Sequence, residues 1–194
     1  MSNAAPSAPR RSRTTLWLIL AVALAPVAAS YLLYYFRPPG QTVNYGELIE
    51  PRPLPDAALT LADGAPFRLS QLKGKWVLVS VDTGRCEADC EKKLLYMRQL
   101  RLTQGKDMDR VERAWLISDA AAPRGNTVAR FPGTWVVRAA GTGLIESFPA
   151  PRAPADHIYL IDPLGNLMMR FPRDPDTRRL IKDLSRLLKA SRVG

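Results

Sequence analysis

The chain has 194 residues, 46% of them apolar, and two cysteines, enough for one ordinary hydrophobic core with an appendage but not for a second large domain. Its net charge of +10 invites a nucleic-acid reading. However, residues 1–46 and 170–194 together carry nine of the ten charges and no basic stripe is interleaved with aromatics, so nucleic-acid binding is excluded.

In chain order, Arg10, Arg11 and Arg13 precede "TTLWLILAVALAPVAASYLLYYF", residues 14–36, which contain no charge. About 20 helical residues cross the hydrocarbon core of a bilayer, so this segment is a predicted transmembrane anchor. The arginine excess before it, against Arg37 alone close after it, places residues 1–13 in the cytoplasm and the rest outside, in the periplasm of a bacterial inner membrane. Small residues at 27–30 also fit a cleaved signal peptide, but the apolar run continues through the interfacial tyrosines of "YLLYYF" and an uncleaved anchor is expected. Residues 37–55 contain five prolines and two glycines and are predicted to be a Pro-rich spacer, with the folded domain at 56–194.

That domain opens with a predicted hairpin, Leu59 and Leu61 alternating before Asp63-Gly64 and Phe67 and Leu69 alternating after it. "WVLVSVD", 76–82, is a β-rich run expected of a buried central strand. Cys86 and Cys90 follow at its end. From Glu87 to about Gln104 the residues favour helix, with Cys90, Leu94 and Met97 recurring at helical spacing and Leu95 and Leu102 beside them. Strands are expected at 114–118 and 135–139 with a short helix around 126–131 between them. "HIYLID" and "LMMRF" flank Pro163-Leu164-Gly165-Asn166 as a second hairpin. An amphipathic helix from about Pro175 to Ala190 closes the chain, with Leu180, Leu184, Leu187 and Leu188 on one face. This order describes an α/β domain of thioredoxin-like fold with an N-terminal β-hairpin, preceded by one transmembrane helix.

The cysteines therefore sit where a central strand hands over to a helix, a common place for sites in α/β sheets. A helix N-terminus also favours thiolate over thiol. The three intervening residues are one more than a redox C-x-x-C pair has. On a regular helix the Cβ atoms of an i, i+4 pair lie about 5 to 6 Å apart against about 3.8 Å for a relaxed disulfide, so a disulfide needs the loop to bend. Two thiolates sharing a metal at about 2.3 Å each fit the spacing better, and with an imidazole they would prefer Cu(I) or Zn(II). Two small buried thiols are the bland alternative.

With "LKGKWVLVSVD" leading into "CEADC", with "WLISD", "DHIYLIDPLGN" and the final amphipathic helix, the chain resembles the SCO family of membrane-anchored thioredoxin-like proteins that help assemble the copper centre of cytochrome c oxidase. The resemblance implies copper held by Cys86, Cys90 and a distant histidine, and subunit II of the oxidase as the client that receives copper or has its cysteines reduced. Three departures stand beside it. Glu91 occupies the position of the family's usual proline, "DTGR" lacks its aromatic and threonine pattern, and His157 lies only two residues before Tyr159 where the family's histidine lies several before that strand. Since side chains alternate across a strand, losing an odd number of extended residues turns the imidazole to the other face. His157 is the only histidine, so without it a two-thiolate site remains, suited to Cu(I) rather than Cu(II). Asp119 and Asp162 read as turn residues, and Met168 and Met169 as packing. Two functions remain: a copper-binding assembly factor without turnover, or a thiol:disulfide oxidoreductase acting on a client's cysteines. A peroxiredoxin-like reductase is disfavoured because no threonine-x-x-cysteine follows the strand.

Overall fold

The computed structural model describes residues 13–36 and 44–191. The expected cytoplasmic residues before Arg13 and the start of the expected spacer, 37–43, lie outside the described residues. The chain divides into two units at Val43 and Asn44.

The first unit contains one helix, α1 (Arg13–Phe36). Its apolar side chains are exposed along its length, and Arg13–Leu33 is long and apolar enough to cross a membrane. Pro26 lies within it; apolar neighbours and length, rather than local propensity, make such a segment helical in lipid.

The second unit is built on one mixed sheet of eight strands: β1 (Glu47–Pro53), β2 (Leu59–Leu61), β3 (Pro66–Phe67), β4 (Trp76–Asp82), β5 (Val111–Ile117), β6 (Trp135–Arg138), β7 (His157–Ile161) and β8 (Asn166–Pro172). Their order across the sheet is β1-β8-β7-β4-β5-β6-β2-β3. β4, β5 and β6 run parallel; β7, β8 and β1 continue antiparallel on one side and β2 and β3 on the other. β4 is buried along its whole length, as its run of β-branched and aromatic residues between two neighbours requires.

Residues 44–55 differ from the expected spacer. Glu47–Pro53 is a strand paired with β8, and the backbone N–H groups of Tyr45 and Gly46 donate to Asp183 Oδ2 at 2.6 and 2.8 Å. Pro51 and Pro53 are tolerated because β1 is the outermost strand, where a missing ladder donor costs nothing. The Arg170 guanidinium clamps its start, donating to both oxygens of Glu47 at 2.8 and 2.7 Å.

Three helices, α2 (Ala88–Thr103), α3 (Gly125–Arg130) and α4 (Thr177–Ala190), contribute to a core on one face of the sheet. Trp76 and Leu78 of β4, Trp115 and Ile117 of β5, and Ile158 and Leu160 of β7 point into it. Val77, Val79, Val81, Tyr159 and Ile161 alternate to the opposite face, which Leu72, Leu144 and Phe148 cover from short turns. α4 starts with Asp176, whose side chain accepts from the N–H groups of Arg178 and Arg179. Met168 occupies an irregularity in the β7–β8 pairing and packs against the same core as Met169, rather than facing away as an unbroken strand would have it.

Candidate functional site

The site is made by the turn between β4 and α2. Its first half is held by the end of the neighbouring strand: Ser118 N–H donates to Asp82 O at 2.9 Å, and Gly84 N–H donates to Asp119 Oδ1 at 2.8 Å. A Cβ on Gly84 would come within 2.0 Å of Ala121 O, so only glycine allows this approach. Asp119, expected as a turn residue, thus also ties the cysteine loop to β5.

Cys86 adopts φ +42, the left-handed region that non-glycine residues seldom enter. The chain bends there. Cys86 lies outside α2, Glu87 is the capping residue, and Cys90 occupies the first helical turn. The two cysteines form a disulfide with Cα atoms 5.0 Å apart, a separation a regular helical i, i+4 pair does not offer. The bend that a bridge across three residues demands is therefore supplied at Cys86. Both residues are buried, 1% and 4% exposed.

On the same face, Asp82 and Lys93 form an ion pair at 2.7 Å. Ser80 Oγ also donates to Asp82 Oδ2, and Lys93 Nζ donates to Ala155 O at 2.6 Å. Lys93 is one helical turn beyond Cys90 and has no exposed surface. Burial pushes the Asp82 carboxyl up and the Lys93 ammonium down, while each partner's charge opposes the shift. Neither residue was singled out from sequence. The available signal was a lysine inside the Cys90, Leu94, Met97 stripe of an amphipathic helix, paired with an acid ending a mostly apolar strand.

Around the mouth the acids of the first helical turn are paired. Glu91, which stands in place of proline, is bound by Arg130 at 2.7 Å and accepts from Thr127 Oγ1 at 3.2 Å, so its charge is neutralised locally. Asp89, between the cysteines, pairs with Arg173 at 2.8 Å. Lys92 and the Tyr96 hydroxyl meet Asp174 at 2.9 and 2.7 Å, joining the segment before α4 to α2.

His157 is the first residue of β7, in register with Pro172 of β8. Its parity is that of Tyr159 and Ile161, whose core is on the opposite side of the sheet from the one containing Cys86 and Cys90. The imidazole meets the Tyr159 ring edge-on at 5.9 Å, and Nδ1 lies 3.3 Å from Phe171 O. Burial, then the Arg170 charge, holds its pKa below the ordinary value, so the ring is neutral near pH 7. It lines a surface depression with Arg152, Asp156, Arg173 and Asp174. Among the described residues no three His, Cys, Asp or Glu side chains are grouped to hold a metal ion. The structure joins Cys86 to Cys90 and does not bring His157 into a cluster with them. Asp162 accepts from Leu164 N–H and Asn166 N–H, the turn role expected of it.

A strand-to-helix turn carrying two cysteines, a parallel β4–β5–β6 core and a closing β7–β8 hairpin define a thioredoxin-like α/β protein with a disulfide at the usual site position. A family model described as transmembrane-like, thioredoxin-like, C-terminal domain matches residues 76–191, and the chain belongs to that family. No curated protein matches the sequence. Yeast Sco1 with copper bound is similar in fold, with a TM-score of 0.62 and 15% identity over 74% of this chain and 96% of that one. ScoI of Bradyrhizobium japonicum with copper bound gives 0.54 and 22% identity, covering 70% and 99%. BsSco, described as a Sco-family cytochrome c oxidase assembly protein with a disulfide switch, gives 0.52 and 18% identity, covering 77% and 95%. The resemblance to the SCO family thus extends to the fold.

Proposed function

We propose that the chain is an assembly factor for the copper centre of cytochrome c oxidase, anchored in the inner membrane by α1 with its folded unit in the periplasm. It works through the reversible Cys86–Cys90 pair. The observation that carries this reading is the buried disulfide at the bend between β4 and α2. The fold likeness to copper-bound Sco proteins and to BsSco, a member of a family of cytochrome c oxidase assembly proteins, supports an oxidase-related client, which this reading takes to be subunit II.

In the reduced state a thiolate of the pair attacks a client disulfide to give a mixed disulfide. The second cysteine resolves it, releasing two client thiols and closing Cys86–Cys90. Two electrons pass to the client, and a separate dithiol donor returns the pair to the reduced state. Because both cysteines are buried, attack requires the 83–87 loop to open, and the left-handed φ at Cys86 marks where that loop departs from relaxed geometry. The reduced pair can also hold Cu(I), which accepts two soft thiolates. His157, on the Tyr159 face, is not part of that site.

Copper stoichiometry of the full chain in detergent, under anaerobic conditions, tests this. The reduced protein should bind one Cu(I), the oxidised protein none, and Cys86→Ala or Cys90→Ala should abolish tight binding while His157→Ala leaves it unchanged. A stable Cu(II) complex whose spectrum collapses in His157→Ala would restore the three-ligand site. Failure of the reduced protein to bind copper, with retained exchange against a disulfide-bonded client peptide, would leave the oxidoreductase reading alone.

A further inference from the structure

Arg113 lies on β5, in register with Leu78 of β4 and between Val111 and Trp115 on the helix-covered face. It is 4% exposed. Its Nη2 donates to Pro132 O at 2.7 Å, but its Nε and Nη1 are buried without any partner. No carboxylate reaches it. Glu112, its neighbour in sequence, alternates to the other side of the strand and accepts from Trp135 Nε1 at 3.1 Å. Burial, then the charges of Arg101 and Arg98 on α2, pull the guanidinium below its ordinary pKa, with Glu112 opposing them from the other side of the strand. Arg101 is occupied by Val111 O and Asp109, whereas Arg98 is exposed.

Among the described residues, the other buried side-chain polar atoms without a partner are Trp76 Nε1 and Trp115 Nε1. Both are N–H donors on the same face of β4 and β5 as Arg113, with Trp76 diagonal to it across the strand pair and Trp115 two residues along. Every orphan is thus a donor, and the charged one among them is a guanidinium, which stays protonated in proteins. Water could accept from such donors but would leave the charge uncompensated, and a buried charge is retained when it is paired. Gly133, at φ +73, brings the loop close against the Nη2 edge, where an added Cβ would lie 3.2 Å away, so the unpartnered Nε and Nη1 are the positions left for a ligand.

We propose that Arg113 anchors a binding site for a small oxyanion of carboxylate or sulfate type, between β5 and the 131–134 loop, with Arg98 raising the local positive potential. Planar and tetrahedral oxyanions match the guanidinium better than a spherical halide, because several N–H groups can be engaged at once. The site is independent of the cysteine chemistry.

The test uses the full chain in detergent with its disulfide intact, followed by thermal unfolding and tryptophan fluorescence while sodium sulfate or sodium acetate is added at constant ionic strength, balanced with sodium chloride. Saturable stabilisation with a fluorescence change is expected for at least one oxyanion. It should be absent in Arg113→Met, and Arg98→Ala should raise the half-saturating concentration several-fold. Responses that are linear in concentration, or that match in the parent and Arg113→Met, would overturn the proposal, as would chloride saturating the site equally well. Should Arg113→Met fail to fold, Arg98→Ala decides: an unshifted half-saturation point overturns the site.

Discussion

The two faces of the sheet are built from the same strands by alternation, yet they differ in what they bury. The helix-covered face holds the disulfide, the Asp82–Lys93 pair, the Arg113 guanidinium and two unpartnered indole N–H groups. On the opposite face Val77, Val79, Val81, Ile161 and Leu167 pack under short turns. Its buried hydroxyl is satisfied conventionally, Tyr159 donating to Pro149 O at 3.0 Å, with burial pushing that phenol up to about 12. Polar chemistry is thus concentrated where helices, rather than turns, close the core. His157 shows what the division implies: an imidazole two residues from a tyrosine takes the tyrosine's parity and stacks edge-on against its ring.

The contrast can be tested first at the buried charges. Lys93→Ala leaves Asp82 without its cation and should cost about 3–5 kcal/mol in urea unfolding. Tyr159→Phe on the other face should cost only about 1 kcal/mol, since it removes one neutral hydrogen bond and Arg170 still donates to Pro149 O. Equal losses would mean that the two faces do not differ in the way described.

Next in size is Gly84→Ala. The added Cβ meets a backbone carbonyl that cannot rotate aside, so about 2–3 kcal/mol of destabilisation is expected, accompanied by a shift of the Cys86–Cys90 reduction potential read by glutathione titration. A variant with unaltered stability and potential would show that the loop is free to move away from Ala121. Reduction of the disulfide itself should lower stability by about 2 kcal/mol, because the loop it closes is short; chemical denaturation with and without a strong reductant measures this directly.

The smallest effect should come from His157. Its pKa in the folded state lies below the ordinary value of 6.5, so below that pH the unfolded chain binds more protons and stability falls as pH drops from 6.5 through the folded pKa. Above 6.5 the contribution is fully present. His157→Phe should flatten this part of the stability–pH curve without changing the cysteine reduction potential at pH 7. A changed potential would place the ring in communication with the helix-covered face.

Read alone, the sequence determined most of the architecture, because hydrophobic period and turn chemistry are local. The apolar run at 14–36, the continuous β-run of 76–82, the helix from Ala88 to Thr103, both hairpins and the Asp176-capped final helix each follow from patterns within a few residues. The alternation rule also supplied the face of His157 once its strand was known to begin there. Tertiary structure alone decided three matters. Residues 47–53 became a strand despite their prolines because β8 needed an edge partner. Cys86 entered the left-handed region because Asp119, 33 residues further along, holds Gly84 and the turn must close onto Cys90. Lys93 met Asp82, and Arg113 met no hydrogen-bonded carboxylate, because those encounters depend on which strands lie side by side. Charge pairing across elements has no periodicity to be read from a chain. It is set by the register in which distant segments pack, and it is there that the chemistry of this protein resides.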